Sequence, residues 1–303
     1  MKKKHSNTMK KRDKMGWLFI APFLIVFLTF SIYPVLRTLY LSFTDYSGFN
    51  VPTWTGMANY KRVFKDRLFW EAFGNTLKIW GINIVLQLGI AFLLTIAFSD
   101  MKYKIKGLGI YRALFYLPNL IAATSVAYLF KTLLDWKFGS VNQLLTKFHV
   151  TDNQIDWLGT PVLLRAVVGV IGAWMWFGNS FIMLMAGVQG INKDYFEAAS
   201  IDGAGRWKIF GKITLPLLKP ILLYVAITSL IGGLQIFDIP YLISLGNQKM
   251  TRSVNTAVMH LYNMAFKNRQ IGYAGALAFI LFFIIAICSV VVYFVMYRKE
   301  ENE

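Results

Sequence analysis

The chain has few of the residues that build disulfides, metal centres and catalytic sites. Cys288 is the single cysteine among 303 residues, so no intrachain disulfide can form and no Cys/His zinc spacing exists. The three histidines, His5, His149 and His260, are far apart in sequence, which suits ordinary polar residues better than ligands. We therefore predict no metal site and no catalytic residue in this chain.

Acidic residues are also scarce. Asp and Glu number 15 against 32 Lys and Arg, which gives a formal net charge of +17. Such an excess can indicate nucleic-acid binding, but here the basic residues stand in short segments between apolar runs, as topology signals of membrane proteins do. Charged residues make up 16% of the chain and hydrophobic residues 56%, with a mean hydropathy of +0.49. That much apolar surface is too large for one water-soluble core, so lipid is its expected environment.

Six apolar runs are each long enough to cross a hydrocarbon core about 30 Å thick. Backbone polar groups in lipid must pair within their own segment, so we predict helices, and the runs lack the alternation of barrel strands. The predicted fold is all-α and integral to the membrane, with a basic tail over residues 1–16 and one transmembrane domain over 17–303. The first run is too long for a signal peptide and has no small-x-small cleavage site after it. The predicted spans are about 17–43, 76–98, 113–134, 161–186, 220–245 and 272–297, with a polar loop over 187–219.

The positions of Lys and Arg in short loops predict the orientation of the spans. Both termini and the loop over 187–219 share the more basic side, and the dense Lys/Arg amino terminus favours that side as cytoplasmic. The bias between the two sides is modest. We therefore expect a multi-pass protein with both termini in the cytoplasm.

The polar loop contains a short helix pattern that suits docking to a partner. Asp194 is the predicted N-cap, with Glu197 completing an acidic version of the capping box. Gly203 can adopt a positive φ and end the helix, and the small Ala198 and Ala199 allow close approach. The alternative is a helical hairpin held on the membrane surface by Trp207 and Phe210. In full, the pattern is Glu197-Ala198-Ala199-Ser200-Ile201-Asp202-Gly203, nine residues, and Ile213-Thr214-Leu215-Pro216.

This pattern resembles the EAA motif of ABC importer permeases, which is Glu-Ala-Ala, three residues, Gly, nine residues and Ile-x-Leu-Pro. Every fixed position is present, and the resemblance extends over nearly the whole chain. The weaker motifs point together to a type I importer permease of the carbohydrate-uptake branch. They include Trp17-Leu18-Phe19-Ile20-Ala21-Pro22, Asn59-Tyr60, Asn75-Thr76-Leu77, Trp174-x-Trp176-Phe177-Gly178 and Phe237-Asp238-x-x-Tyr241.

The resemblance implies a transporter subunit rather than an enzyme, in the plasma membrane of a prokaryote. It implies a second, related permease, two cytoplasmic ATPase subunits and an extracellular or periplasmic solute-binding protein as partners. ATP and Mg²⁺ would bind the ATPase, and the chain itself would hold no cofactor; consistently, it lacks a P-loop. The residues assigned to ATPase coupling by the resemblance are Glu197, Ala198, Ala199, Asp202, Gly203, Ile213, Leu215 and Pro216.

Polar and aromatic residues within the apolar runs are the candidates for the solute path, because polar groups in lipid are costly and often functional. They are Trp174, Trp176, Asn179, Gln235, Asp238 and Tyr241. The alternative for Asp238 is an ion pair or hydrogen bond with a nearby group. The alternative for the tryptophans is packing, and for Asn83, Gln87 and Asn179 it is bonding between helices.

Three other functions stay open on the sequence. The solute could be something other than a sugar, such as glycerol phosphate. An ion-coupled secondary transporter could use Asp238, although no pair of related halves is visible. A membrane enzyme would need converging acid, base or metal ligands, and the acidic group of Asp194, Glu197 and Asp202 has no histidine or cysteine near it in sequence.

Overall fold

The computed structural model describes residues 2–98 and 107–297, which are almost entirely helical. Two short antiparallel strands, β1 (Thr44–Asp45) and β2 (Thr53–Trp54), form a small hairpin. Wide π-helical turns stand at Leu28–Ile32, Phe210–Thr214 and Asn263–Lys267. The α-helices are α1 (Lys2–Phe27), α2 (Tyr33–Ser42), α3 (Ala58–Lys65), α4 (Arg67–Phe98), α5 (Leu108–Leu120), α6 (Ala123–Leu133), α7 (Ser140–Lys147), α8 (Pro161–Gly190), α9 (Lys193–Ile201), α10 (Arg206–Ile209), α11 (Leu215–Leu217), α12 (Lys219–Leu234), α13 (Asp238–Ser244), α14 (Gln248–Ser253), α15 (Ala257–Tyr262) and α16 (Ile271–Tyr297).

Five helical segments of the described chain are long and apolar enough to span a membrane. They are Met15–Ser42, Arg67–Phe98, Pro161–Gly190, Lys219–Ser244 and Ile271–Met296. The predicted third span, 113–134, is instead the pair α5 and α6, which meet at 86° because Ile121 and Ala122 adopt extended backbone. Counting that pair as one span gives six. Hydropathy reports apolar composition and not helix direction, so the sequence could not show this bend.

Two helices extend beyond the predicted spans. Helix α4 begins at Arg67 rather than near residue 76, and α8 continues to Gly190 rather than 186. The added first turns of α4 include charged residues, and the Arg67 and Glu71 side chains form an i,i+4 ion pair of 2.7 Å. Hydropathy excludes such residues although they continue the helix. The orientation prediction also counts Lys102, Lys104, Lys106, Arg298 and Lys299 on the more basic side, and these residues lie outside the described residues.

Within the described residues, one compact unit comprises 2–66 and 261–280. Its hairpin is fixed by Asn59, whose Nδ2 donates to the carbonyl oxygens of Ser42 and Thr44, both at 2.9 Å. The hydroxyls of Ser42 and Tyr60 bond at 2.7 Å in the interior. Helix α16 approaches the same hairpin through Gly272, where a Cβ would lie 2.1 Å from the Thr44 carbonyl oxygen. The Asn59-Tyr60 motif thus has a structural role in this unit.

Within the described residues, the second unit comprises 67–98, 107–260 and 281–297, and α4 packs against α8 at its centre. The buried positions of α4 recur every three or four residues, which places them on one helix face. They are Phe69, Ala72, Thr76, Ile79, Asn83, Gln87, Ala91 and Thr95. Helix α5 approaches α8 closely at Gly178, where a Cβ would lie 1.9 Å from the Phe115 carbonyl oxygen. This unit carries both regions that the sequence marks as functional.

Candidate functional site

The short helix of the EAA pattern is α9, which begins directly after α8 ends. Its N-cap is Asn192, whose Oδ1 accepts a hydrogen bond from the Asp194 backbone N–H at 3.2 Å. The prediction of Asp194 as N-cap was wrong, because the extended backbone required of a cap occurs at Asn192, where the chain leaves α8. Asp194 instead lies in the first turn, where its negative charge favours the helix dipole.

Helix α9 has an anchored face and an open face. Phe196 and Ala199 are buried, and Phe196 packs in a cluster with Leu184, Val188 and Leu218. On the other side Glu197 and Ala198 are exposed, and the Ile201 side chain is 87% exposed. The chain therefore anchors α9 through its buried face and presents a mixed apolar and acidic surface outward. Ile201 is a feature of this surface that the sequence analysis did not single out.

The end of α9 is a Schellman motif. The Ala204 N–H donates to the Ala199 carbonyl at 2.9 Å and the Gly203 N–H to the Ser200 carbonyl at 3.2 Å. Gly203 has φ +71°, which confirms the predicted positive φ at this position. A Cβ at Gly203 would meet no atom of residues 2–98 and 107–297 within 4 Å, so within the described chain it is the backbone conformation that requires glycine here.

The second half of the EAA pattern continues as helix rather than breaking at Leu215-Pro216. The π turn over Phe210–Thr214 leads into α11, where Pro216 occupies the first turn. The interruption falls at Leu218, and Pro220 occupies the first turn of α12. A backbone N–H in that turn has no helical partner to lose, so Pro220 does not break that helix. Ile213 and Leu215 are half-buried and Pro216 is exposed.

A cavity of about 300 Å³ opens between α4, α8 and α12 and the segment that leads into α13. Four of the six predicted solute-path residues line it: Trp176, Asn179, Gln235 and Asp238. The other two do not. Trp174 packs against Phe130 with ring centroids 5.7 Å apart, and Tyr241 stacks on Phe237 at 4.9 Å. Packing therefore accounts for Trp174 fully.

The cavity wall combines aromatic rings with hydrogen-bonding groups. Gln87 lies in the wall, donates from Nε2 to the Ser180 hydroxyl at 2.7 Å and accepts from the Ser229 hydroxyl at 3.4 Å. Asn83 also lines the wall. The predicted bonding between helices is confirmed for Gln87. The aromatic and amide side chains of the wall are Trp80, Trp176, Tyr224, Phe237, Asn83, Gln87, Asn179 and Gln235.

Asp238 is the single charged side chain among the described residues that line this cavity. It is exposed at the start of α13 and makes no ion pair or side-chain hydrogen bond within the described chain. The pairing that was considered as its alternative role is therefore not present among the residues that the structure describes. The carboxylate is available to a hydroxyl or a cation that enters the cavity.

Trp80 is a wall residue that the sequence analysis missed. Its Nε1 donates to the Ser229 carbonyl oxygen at 3.1 Å. Its ring occupies the space beside Gly233, where a Cβ on that glycine would lie only 1.9 Å from Trp80 Cδ1. The signal in the sequence was the pair Gly232-Gly233 inside an apolar run, which permits a ring to approach the backbone of α12. Nothing in the sequence alone shows which ring it is.

The fold and these two regions define a helical membrane protein that has a short, partly exposed helix at the end of its central helix pair and a polar cavity between its helices. Residues 107–299 match the family described as "Binding-protein-dependent transport system inner membrane component". The chain belongs to this family of ABC importer permeases. It is an inner-membrane transporter subunit with several membrane-spanning helices, and not an enzyme.

Named relatives cover almost the whole chain. The probable ABC transporter permease protein YesP of Bacillus subtilis is 33% identical over 99% of this chain and 97% of its own. The lactose transport system permease protein LacF of Rhizobium radiobacter is 30% identical, with 94% of each chain covered. The trehalose/maltose transport system permease protein MalF of Thermococcus litoralis is 31% identical, with 95% of each chain covered.

A solved structure shares the fold. A chain from the crystal structure of a bacterial ABC transporter involved in the import of the acidic polysaccharide alginate superimposes with a TM-score of 0.82. That match covers 97% of this chain and 99% of the other, at 23% sequence identity. The all-α permease fold predicted from the sequence is confirmed.

Proposed function

We propose that this chain forms half of the translocation pathway of an ATP-driven importer for a sugar or oligosaccharide. Relatives named for lactose, trehalose/maltose, arabinooligosaccharides and multiple sugars support this solute class. The observation that carries the proposal is the cavity, where flat aromatic rings alternate with amide and carboxylate groups. Saccharides offer apolar ring faces and many hydroxyls, which this combination of groups can bind.

The charge of the cavity favours an uncharged solute. Asp238 is a carboxylate, and none of the described lining residues is Lys or Arg. A phosphate or carboxylate group near it would be repelled in the low dielectric between helices. The chemistry thus supports a neutral saccharide over glycerol phosphate, the alternative considered from the sequence.

ATP binding and hydrolysis in the partner would act on the cavity through α9. The exposed Glu197, Ala198 and Ile201 would dock on a cytoplasmic ATPase, with Glu197 making a charge-assisted contact to a basic group there. Gly203 would fix the turn after the helix, and Asp202, Ile213, Leu215 and Pro216 would complete the docking loop. ATP and Mg²⁺ would bind that partner. Movement of the docked α9 would bias the permease between two conformations.

The proposed complex contains a second, related permease, two ATPase subunits and a solute-binding protein. One structural neighbour was solved in complex with an alginate pentasaccharide-bound periplasmic protein, which supports a partner of this type. Both termini and α9 are assigned to the cytoplasm. The Lys/Arg distribution supports that orientation, as do the exposed Lys208 and Lys212 that follow α9.

Uptake by the purified complex in liposomes tests this proposal. We expect accumulation of a neutral saccharide that requires the binding protein and internal ATP and that vanadate abolishes. Dissipating the proton and sodium gradients with ionophores should leave uptake unchanged. Uptake that survives vanadate but disappears with an ionophore would instead identify ion coupling through Asp238, and saccharide-independent uptake of a phosphorylated solute would reject the solute class.

A further inference from the structure

The second unit carries another recess that neither the cavity nor α9 explains. Its volume is about 560 Å³, and four of the eight described residues that line it are cationic: Arg67, Lys78, Arg165 and Arg252. Glu71 is the single lining carboxylate, and it pairs with Arg67 at 2.7 Å. We refer to this recess, with Trp70, Gly74 and Asn75 completing its lining, as the basic pocket.

Hydrogen bonds hold the side chains that form the floor of the basic pocket. Arg165 is half-buried, and its Nη1 donates to the Ser253 carbonyl at 3.1 Å and to Asn75 Oδ1 at 3.4 Å. Asn75 in turn donates from Nδ2 to the Asn255 carbonyl at 3.3 Å. These contacts orient the guanidinium without neutralising it, since every acceptor is uncharged. The Asn75-Thr76-Leu77 motif, which the transport function leaves unexplained, supplies part of this floor.

The basic pocket lies at the end of the bundle opposite α9. Helix α8 leads from Arg165, in its second turn, to Gly190, which only two residues separate from α9. At 1.5 Å per residue, these two positions of α8 are about 38 Å apart along the helix axis. Helix α4 places the pocket at the same end. Arg67 is its first residue, and its last residue, Phe98, packs in the cluster that anchors α9. A partner of the pocket therefore comes from the membrane side opposite the ATPase.

We infer that the basic pocket is a docking site for acidic side chains of the solute-binding protein. This inference rests on the proposed function, which places the ATPase at α9 and the binding protein at the opposite end. A net excess of positive charge in a preformed recess steers and holds carboxylates. Trp70 is the one large apolar residue in the lining, so the pocket lacks the apolar groove that would hold lipid chains beside a headgroup.

Charge reversal at Arg252 tests the site, because this residue is exposed and makes no contact on which the floor depends. The complete complex in nanodiscs is titrated with the binding protein, and stimulated ATP hydrolysis is recorded. With Arg252→Glu we expect the half-stimulating concentration to rise about tenfold, with basal hydrolysis and the saturated rate unchanged. Wild-type docking should also weaken as salt is raised, and the variant should respond less.

Lys249→Glu is the matched control, because Lys249 is exposed on the same short helix α14 but does not line the pocket. It should leave the half-stimulating concentration within about twofold of wild type. Equal behaviour of both variants and wild type would overturn the inference. A defect of Arg252→Glu that is seen only with anionic lipids would also overturn it, because that result identifies a lipid-headgroup site. Loss of the second permease from the purified Arg252→Glu complex would overturn it too, because that result identifies a subunit interface. If the binding protein fails to stimulate even the wild type, the proposed function itself fails.

Discussion

A complex that carries Glu197→Lys should keep its permease subunits but lose most of its coupled activity. Glu197 is exposed on α9, while Phe196 beside it is buried and anchors the helix, so the change alters the docking surface without disturbing its support. Reversing a charge at a desolvated contact costs roughly 2–5 kcal/mol, enough to lower association with the ATPase more than tenfold. Co-purification of the ATPase, ATP hydrolysis and solute uptake are measured on the same preparation.

Asp194→Lys is the matched control for this reversal. Asp194 is equally exposed on α9 but lies in its first turn beside the N-cap, at the edge of the docking surface. We expect this variant to lose a few tenths of a kcal/mol of helix stability through the dipole and to retain most of its uptake. If Glu197→Lys transports as well as Asp194→Lys, α9 is not the contact through which the ATPase acts.

Substitutions at Gly203 distinguish a requirement for the backbone turn after α9 from a requirement for open space beside that turn. Gly203→Val should cost roughly 1 kcal/mol or more, because a β-branched residue is strained at φ +71°. Gly203→Asn adds a side chain of similar size but tolerates a left-handed backbone, so it should retain coupling. Uncoupling by valine and not by asparagine would assign the effect to the turn. Equal loss in both variants would mean that a partner fills the space beside Gly203 instead.

Asp238→Lys should nearly abolish uptake of a neutral saccharide. The change replaces the single charged acceptor among the described lining residues with a donor. A hydrogen bond to a charged group contributes about 1.5–3 kcal/mol, or roughly tenfold or more in affinity. Asp238→Asn keeps the shape but removes the charge, so uptake should fall several-fold. The same variant should also reduce the preference for a neutral saccharide over a uronate-containing one of equal length.

The measurement is initial uptake of both saccharides, with complex assembly checked by co-purification. Asp152→Asn serves as the control, because Asp152 is exposed in a loop and does not line the cavity. It should leave both rates unchanged. An Asp238→Asn complex with wild-type rates and wild-type preference would remove Asp238 from the solute path, and its position at the start of α13 would then account for it through the helix dipole alone.

Parts of this account follow from the sequence because they depend on local chemistry. The lengths of the apolar runs predict the positions of the membrane-spanning helices, and the glycine of the EAA pattern predicts the turn at Gly203. The bend between α5 and α6 and the cap at Asn192 depend on backbone direction, which composition does not record. Trp176 lines the cavity wall, whereas the nearby Trp174 packs against Phe130. This difference depends on how their helix is rotated in the packed bundle.

Residues drawn together from distant segments were the hardest to predict. The basic pocket combines α4, α8 and α14, and its cations are separated by many residues in the chain. Trp80 reaches the cavity because Gly233, on another helix, leaves room for its ring. Such sites become visible only when the packing of the helices is known, since each contributing residue is unremarkable in its own segment.

Cross-linking from Ile201 tests the central claim most directly, because this side chain is 87% exposed on the outward face of α9. A photoreactive amino acid is placed at position 201 in one complex and at 249, beside the basic pocket, in another. We predict an adduct between position 201 and the ATPase subunit that changes in yield with nucleotide, and an adduct between position 249 and the binding protein. An ATPase adduct at 249, or a binding-protein adduct at 201, would contradict both the coupling role of α9 and the proposed orientation.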